Sequence, residues 1–244
     1  MNRISLGINI DHIATLRNAR GENDPSLLEM LFEIQDGGAK SITMHLREDR
    51  RHIKDEDVFI VKNHGKLPIN FEMALTREMV DIALELKPKS VCIVPEKRQE
   101  LTTEGGLNIN GFNKDTSIIF RELQQNNINI FLFVEPSIEV LSKIIDLGID
   151  GVEVHTGLYT NNFQEGTSYK KDLEKIIDAA GFCSKNKIIF HAGHGLNYQN
   201  IKYLLNIENL AEVNIGHSVI SRSLKVGLRN AVSEMNMLLQ GNSR

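Results

Sequence analysis

The stretch 129–155, NIFLFVEPSIEVLSKIIDLGIDGVEVH, contains one complete strand–helix–strand unit. An apolar run begins it at residues 129–134, and a second apolar run ends it at residues 151–155. Between the two runs, apolar residues recur at the spacing of one helix face and stop at a glycine. These residues are Ile138, Leu141, Ile144, Ile145 and Gly148. The stretch therefore predicts a βαβ unit.

The same alternation of apolar run and helical spacing repeats along the chain. Several of the runs show little polar alternation, as expected for strands buried on both faces of a parallel sheet. Eight runs are predicted as strands, over residues 4–10, 41–46, 68–73, 90–94, 129–134, 151–155, 187–191 and 212–215. Eight such units in a chain of 244 residues predict an α/β protein of the (β/α)8 TIM-barrel class.

We expect a single barrel domain over residues 1–244, because no linker rich in proline, serine or glycine divides the chain. An open, doubly wound sheet is the structural alternative. That fold normally carries GxGxxG after its first strand, whereas Gly7 is followed here by the sequence INIDH. The barrel is therefore the favoured architecture.

Composition excludes several classes of partner. The formal net charge is −4, so the chain has no basic footprint for nucleic acid. No stretch approaches the ~18 consecutive apolar residues of a transmembrane helix, so we expect no membrane partner. The two cysteines, Cys92 and Cys183, form no CxxC pair, so a thiolate zinc site has no support. The sequence predicts a cytoplasmic protein without a metal or a cofactor.

Polar residues gather where the predicted strands end, which is where barrel enzymes place their catalytic groups. Six of the eight histidines lie at these ends or just beyond them: His12, His45, His155, His191, His194 and His217. Glu72 lies inside the apolar run 69–75, and burial would raise the pKa of its carboxyl group toward the range useful for a general base. A structural ion pair is the alternative interpretation of Glu72.

Two kinds of loop suggest phosphate binding. Glycine-containing turns at 191–196 and 214–218 follow the seventh and eighth strands, the usual phosphate loops of a barrel. The loop after the second strand, HLREDRRH at 45–52, carries three arginines, although its acidic residues also permit a solvated ion-pair network. The long loop 96–113 suggests a lid. Two phosphate sites would imply two phosphorylated substrates or one bisphosphate.

At this level of detail the chain resembles the pyridoxine 5′-phosphate synthase family. The matching blocks run from near the first residue to the last strand: GINIDHIATLRNARG at 7–21, HLREDRRH at 45–52, NFEM at 70–73, VPEKRQE at 94–100, EVHTG at 153–157, AGHGL at 192–196 and NIGH at 214–217. The resemblance implies a barrel with additional helices that assembles as a homo-octamer. It also implies condensation of 1-deoxy-D-xylulose 5-phosphate with 3-amino-2-oxopropyl phosphate, giving pyridoxine 5′-phosphate, inorganic phosphate and water.

The same resemblance implies a role for each matching residue. His45 and Glu72 are the expected proton acceptors, His194 is the expected proton donor, and Glu153 would stabilise a charged intermediate. The residues expected to bind the aminoketone phosphate are Asn9, Arg20, Gly195, Gly216 and His217. The residues expected to bind deoxyxylulose phosphate are Asp11, His12, Arg47, His52 and Thr102.

Three other functions compete with this interpretation. A metal-dependent barrel hydrolase often begins with HxH on the first strand, where this chain has Asp11 and His12. A Schiff-base aldolase would need a lysine, for which Lys97 is the main candidate. A non-catalytic phosphosugar-binding barrel would need the anion-binding loops without the buried Glu72.

Overall fold

The computed structural model describes residues 4–102 and 105–241, so two residues of the predicted lid, 103 and 104, lie outside the description. Eight parallel strands pair in chain order and close into a barrel, because the eighth strand also pairs with the first. The strands are β1 Ser5–Asn9, β2 Ser41–His45, β3 Ile69–Met73, β4 Ser90–Ile93, β5 Asn129–Val134, β6 Gly151–His155, β7 Ile189–Gly193 and β8 Leu210–Ile215. The predicted (β/α)8 barrel is confirmed.

The described ranges contain ten α-helices, eight in the connections between strands and two after β8. They are α1 Asp11–Arg20, α2 Leu27–Asp36, α3 Asp55–His64, α4 Arg77–Leu86, α5 Lys114–Gln125, α6 Ile138–Ile144, α7 Gly157–Glu165, α8 Tyr169–Lys185, α9 His217–Val226 and α10 Leu228–Leu239. Two helices follow each of β1, β6 and β8, whereas the segment between β7 and β8 has only a 3₁₀ turn at Ile201–Tyr203. The arrangement fits the additional helices that the family resemblance implies.

Local signals set the helix boundaries. The Thr76 hydroxyl accepts the Met79 N–H at 3.5 Å and caps α4. That helix ends before Pro88, where Lys87 takes a left-handed conformation with φ 53°. Ser137 directly precedes α6, but its side chain makes no cap hydrogen bond.

The seventh and eighth strands differ from the predicted ranges. β7 begins at Ile189, two residues late, because Lys187 has a φ of 58° and cannot extend a strand. His191 consequently lies inside the barrel and not at the catalytic rim, so its predicted rim position is wrong. Its ring stacks on Phe131 with centroids 4.4 Å apart, and it lines a cavity of about 240 Å³ at the opposite opening. β8 begins at Leu210, two residues early.

The molecule has an apolar layer between strands and helices, and a polar barrel interior. One large cluster of buried aliphatic and aromatic side chains fills the layer outside the strands. Inside the barrel, the hydroxyl groups of Ser41, Thr43 and Ser90 donate to Glu212, Asn214 and Asn70 at 2.8, 2.8 and 3.0 Å. Branched aliphatic residues usually occupy this space. Hydrogen bonding compensates the burial of the polar groups.

Within the described ranges, no helix is long and apolar enough to cross a membrane.

Candidate active site

A cavity of about 1060 Å³ lies at the carboxyl ends of the strands. Its wall contains eleven of the fourteen predicted site residues: Asn9, Asp11, His12, His45, Arg47, Glu72, Glu153, His194, Gly195, Gly216 and His217. They come from β1, β2, β3, β6 and the segments after β1, β2, β7 and β8. Closure of the barrel therefore brings together residues that are more than 200 positions apart in the sequence.

Asp11, His45 and Glu72 lie together on one side of this cavity. β2 and β3 pair in a register that sets His45 opposite Glu72. The Asp11 carboxylate accepts the His45 backbone N–H at 2.9 Å. The Asn9 amide donates to Asp11 at 3.1 Å and to Glu72 at 3.4 Å, so it links the two carboxyl groups.

The His45 ring is oriented by Glu96, which follows β4. The Nε2 atom of His45 lies 2.8 Å from Oε1 of Glu96, whose other oxygen accepts the backbone N–H of Glu48 at 2.9 Å. Burial acts to raise the pKa of Glu96, but the His45 and Glu48 hydrogen bonds outweigh it and hold this pKa below its usual value. Because an ionised carboxylate only accepts, Nε2 carries the proton and Nδ1 is the nitrogen able to accept another.

Burial and acidic neighbours shift the titration of Glu72 and Glu153. Burial is the main cause, and the negative charges of Glu153 and Asp11 add to it, so that the pKa of Glu72 is raised well above its usual value. Glu153 is buried, with only 3% of its surface exposed. Burial raises the pKa of Glu153 to about 7, although the hydrogen bond from Asn214 opposes the shift.

Gly193 leaves room for the Glu153 carboxyl group, and Asn214 forms a hydrogen bond with it. The Asn214 amide donates to Glu153 at 2.7 Å. A Cβ atom at Gly193 would lie 2.0 Å from a Glu153 oxygen, so a side chain at that position would displace the carboxyl group. Glycine is therefore required at the end of β7 to leave room for the Glu153 carboxyl group.

The turn after β7 has a strained backbone. His194 has a φ of 79°, which is uncommon for a residue with a side chain, and Gly195 has the same value. Strain of this kind is found mainly where the surrounding structure holds a functional group in place. The His194 ring faces His155, with centroids 4.7 Å apart. Burial, aided by His155, lowers the pKa of His194.

A second side of the cavity offers groups that bind anions. The α9 helix begins at His217, and Gly216, His217 and Ser218 at its N-terminus line the cavity, where backbone N–H groups can bind an anion. Arg47 lines the cavity and contacts Asp49 at 3.3 Å. The His12 and His217 rings lie 5.1 Å apart, and burial followed by the charge of His217 lowers the pKa of His12.

Three predicted site residues lie outside the cavity wall. Arg20 is at the end of α1, with its side chain 79% exposed and 3.5 Å from Glu22. His52 lies behind His45, with ring centroids 6.1 Å apart, and its Nδ1 is buried without a hydrogen-bond partner among the described residues. Thr102 is outside the cavity wall and donates its hydroxyl to Glu135 at 3.0 Å. The structure thus places His52 against His45 but leaves Arg20 and Thr102 apart from the other predicted residues.

Four residues at or near strand ends, to which the sequence assigned no role, contact the site residues or lie beside one that does. Glu96 binds His45, Asn214 binds Glu153, His155 packs against His194, and Glu135 lies beside His155. Their position at strand ends was the only signal in the sequence. Which side chains contact one another depends on strand register, which a single sequence does not reveal.

One group of described residues has the arrangement of a metal site. Ligand atoms of Asp11, His45 and Glu72 lie within 4.8 Å of one another. The raised pKa of Glu72 makes loss of its proton to a cation more costly than for an ordinary glutamate. A cation there would also compete with the hydrogen bonds that Asp11 already accepts.

Comparison with known proteins identifies relatives over nearly the full chain. The family model described as pyridoxal phosphate biosynthesis protein PdxJ matches residues 6–241. A pyridoxine 5′-phosphate synthase of Ehrlichia chaffeensis (strain ATCC CRL-10679 / Arkansas) is 45% identical over 235 residues, which cover 96% of each chain. One of Prochlorococcus marinus (strain MIT 9515) is 44% identical over 238 residues, covering 98% of this chain and 99% of that protein.

Solved structures share the fold at low sequence identity. KGPDC from Streptococcus mutans has a TM-score of 0.66 at 10% identity, covering 98% of this chain and 99% of that one. A phosphoribosylanthranilate isomerase from Thermotoga maritima has a TM-score of 0.63 at 10% identity, with the same coverage. These likenesses concern the barrel alone.

Proposed function

This chain belongs to the pyridoxal phosphate biosynthesis protein PdxJ family, and we propose that its rim cavity is the active site of pyridoxine 5′-phosphate synthesis. The enzyme forms a ring from two phosphorylated substrates, 1-deoxy-D-xylulose 5-phosphate and 3-amino-2-oxopropyl phosphate, and releases inorganic phosphate and water. The observation that carries the proposal is the convergence of Glu72, Glu153, His45 and His194 on one cavity that also has anion-binding loops.

The first bond of the ring requires no amine from the enzyme. The amino group of the aminoketone attacks the ketone carbon of deoxyxylulose phosphate, and loss of water from the adduct leaves an imine. Ring closure and aromatisation then need protons removed from carbon and added to leaving oxygens. A site with several acid and base groups of different pKa suits such a sequence.

The electrostatics support a division of labour among these groups. His45 is an acceptor because Glu96 fixes the proton on Nε2 and leaves Nδ1 free. Glu72 becomes an acceptor once it has lost the proton that burial and its acidic neighbours stabilise. His194 is the donor, and Glu153 stabilises positive charge that develops on the nitrogen during condensation.

The two phosphate groups bind at different loops in this proposal. The aminoketone phosphate lies near Gly195, Gly216 and His217, with Asn9 beside it. Deoxyxylulose phosphate lies near Asp11, His12 and Arg47. Arg20, His52 and Thr102 belong to these sets as well, and the exposed Arg20 side chain is free to swing toward the cavity.

We also infer, from the family resemblance, that eight copies assemble and that the enzyme works in the cytoplasm. The substrates and the product are small phosphorylated molecules.

The deciding experiment mixes the purified protein with both substrates and detects pyridoxine 5′-phosphate by chromatography and mass. We expect product only when both substrates are present, with one inorganic phosphate released per ring. Omission of either substrate is the control. Binding of both substrates without product would instead support the non-catalytic phosphosugar-binding alternative. A borohydride-trapped adduct on Lys97 would support the Schiff-base alternative.

A further inference from the structure

Glu135, directly after β5, is the buried acidic residue at the rim to which the proposed reaction gives no role. Only 6% of the surface of Glu135 is exposed. We propose that Glu135 is a positioning residue, whose one carboxylate holds the loop after β4 over the rim and faces His155, the ring that packs against His194. The second half of this inference rests on the proposed function, because it concerns the proposed proton donor.

The loop contacts of Glu135 are made through a single oxygen. Its Oε1 accepts the backbone N–H of Gly106 at 2.6 Å and the Thr102 hydroxyl at 3.0 Å. The Thr102 oxygen in turn accepts the N–H groups of Gly105 and Gly106 at 3.1 and 3.0 Å. Thr102 therefore links the Glu135 carboxylate to Gly105 and Gly106 of the loop.

The backbone of the loop after β4 is also hydrogen-bonded to β5. Leu101 and Leu107 form an antiparallel bridge, and the Leu107 N–H donates to the carbonyl of Phe133 in β5 at 2.8 Å. Leu101 and Gly105 line the active-site cavity. Because the loop lies on the cavity wall, loss of its anchor would open that wall.

The same oxygen of Glu135 also lies near His155, at the end of β6. Oε1 lies 3.5 Å from Nδ1 of His155, and both residues are buried. Among the described residues, neither Oε2 of Glu135 nor Nδ1 of His155 has a hydrogen-bond partner. Because a carboxylate only accepts hydrogen bonds, we expect it to pair with His155 when the imidazole carries a proton on Nδ1.

Glu135 is charged at neutral pH. Burial acts to raise its pKa, but the facing imidazole of His155 and the Gly106 N–H outweigh burial and lower this pKa below its usual value. The His155 ring lies between this carboxylate and His194, whose ring centroid is 4.7 Å away. The carboxylate thus connects the position of the loop with the ring beside the proposed donor.

Two substitutions separate these effects. In Glu135→Gln the side-chain carbonyl oxygen still accepts from Gly106 and Thr102, but the negative charge facing His155 is gone. Glu135→Ala removes both. Glu139→Gln is the matched control, because the Glu139 side chain is 80% exposed on α6 and its carboxylate pairs with Lys143.

Hydrogen exchange of residues 105–107 reports on the loop, and steady-state kinetics report on the site. In Glu135→Ala we expect exchange at least about 10-fold faster, with a higher KM for deoxyxylulose phosphate and a lower kcat. In Glu135→Gln we expect exchange and KM close to those of the unmodified chain and kcat roughly 100-fold lower. A purely structural role would predict that glutamine restores kcat as well.

Each half of the inference has its own contrary result. Unchanged exchange in Glu135→Ala would refute the loop anchor, and unchanged kcat in Glu135→Gln would refute the action through His155. If the unmodified chain makes no product, the proposed function fails while exchange still tests the anchor. In that case the ¹⁵N shifts of the His155 imidazole test the contact: we expect them to change in Glu135→Gln but not in Glu139→Gln, and no change would refute it.

Discussion

At the scale of single residues, a network of three buried or partly buried carboxyl groups dominates the site. Asp11 is fixed by the His45 backbone and Asn9, whereas Glu72 and Glu153 have raised pKa values. Like charges so close cannot all be ionised at low cost, so one or more carboxyl groups retain protons. Groups of the same chemical type can therefore serve different steps of one reaction.

Replacement of Glu72 by glutamine tests its role as a proton acceptor. Glutamine has the same shape and still accepts the Asn9 hydrogen bond, so substrate binding should persist. We expect kcat to fall by about 10²–10⁴-fold with a KM change of less than about 3-fold. Steady-state product formation measures both quantities, with Glu139→Gln as the control. An unchanged kcat would show that Glu72 is not the acceptor.

The raised pKa of Glu153 predicts a dependence of stability on pH. Its folded-state pKa of about 7 lies above the ~4.3 of glutamate in an unfolded chain. Between these values the folded state keeps a proton that the unfolded state has released, so the free energy of unfolding falls as pH rises.

Glutamine at position 153 cannot titrate. Glu153→Gln should therefore remove the contribution of Glu153 to the fall in the free energy of unfolding, on the order of 3 kcal/mol between pH 4.5 and 7.5. Urea unfolding at several pH values measures the slope. Glu72 will keep part of the decline, because its pKa is raised as well. A variant with the full slope of the original chain would contradict a raised pKa at Glu153.

At the scale of elements, the loops of the rim are held by ion pairs beneath them. Arg17 of α1 forms two hydrogen bonds, at 2.5 and 2.8 Å, with Asp57 of α3. Asp57 is fully buried and also accepts the Lys54 N–H at 2.9 Å. The neighbouring Asn18 donates to the His52 carbonyl at 2.8 Å. These contacts join α1 and α3 under the arginine-rich loop after β2.

Removal of Asp57 should therefore destabilise the whole domain. In Asp57→Ala the buried Arg17 guanidinium loses its partner, and we expect a loss of about 3–5 kcal/mol in the free energy of unfolding. The exposed pair of Glu139 and Lys143 is the control, where Glu139→Ala should cost less than about 0.5 kcal/mol. Urea unfolding compares the two. A cost below about 1 kcal/mol for Asp57→Ala would contradict this account.

At the scale of the whole molecule, the barrel separates stability from function by layer. The apolar layer outside the strands stabilises the fold, whereas the interior and the rim carry polar groups. Substitutions in the outer layer should therefore affect stability first, and substitutions inside the barrel should affect the site.

The proposed octamer is testable on the intact protein. Eight chains of 27.5 kDa would sediment as a particle of roughly 220 kDa. We expect this mass by sedimentation velocity at micromolar concentration, with bovine carbonic anhydrase as a monomeric size control. A single species with the mass of one chain would reject the octamer and leave the active-site proposal intact, because the cavity is lined by one chain.

Most of the architecture could be predicted from sequence patterns because those patterns are local. The runs at 129–134 and 151–155 coincide with β5 and β6, and Thr76 caps the helix it precedes. The prediction failed where local conformation opposed the pattern: left-handed Lys187 delayed β7 and moved His191 into the barrel. Backbone dihedral angles of this kind have no periodic signal in the sequence.

The sequence by itself determined the eight strands, the class of fold, the family and the set of candidate site residues, because hydrophobic periodicity and motifs are properties of neighbouring residues. Only the tertiary structure decided which candidates meet. Closure of the barrel set His45 opposite Glu72, bound Glu153 to Asn214, and left Arg20 exposed and Thr102 on Glu135. Contacts, burial and pKa shifts depend on strand register and on partners far away in the chain, and both exist only after folding.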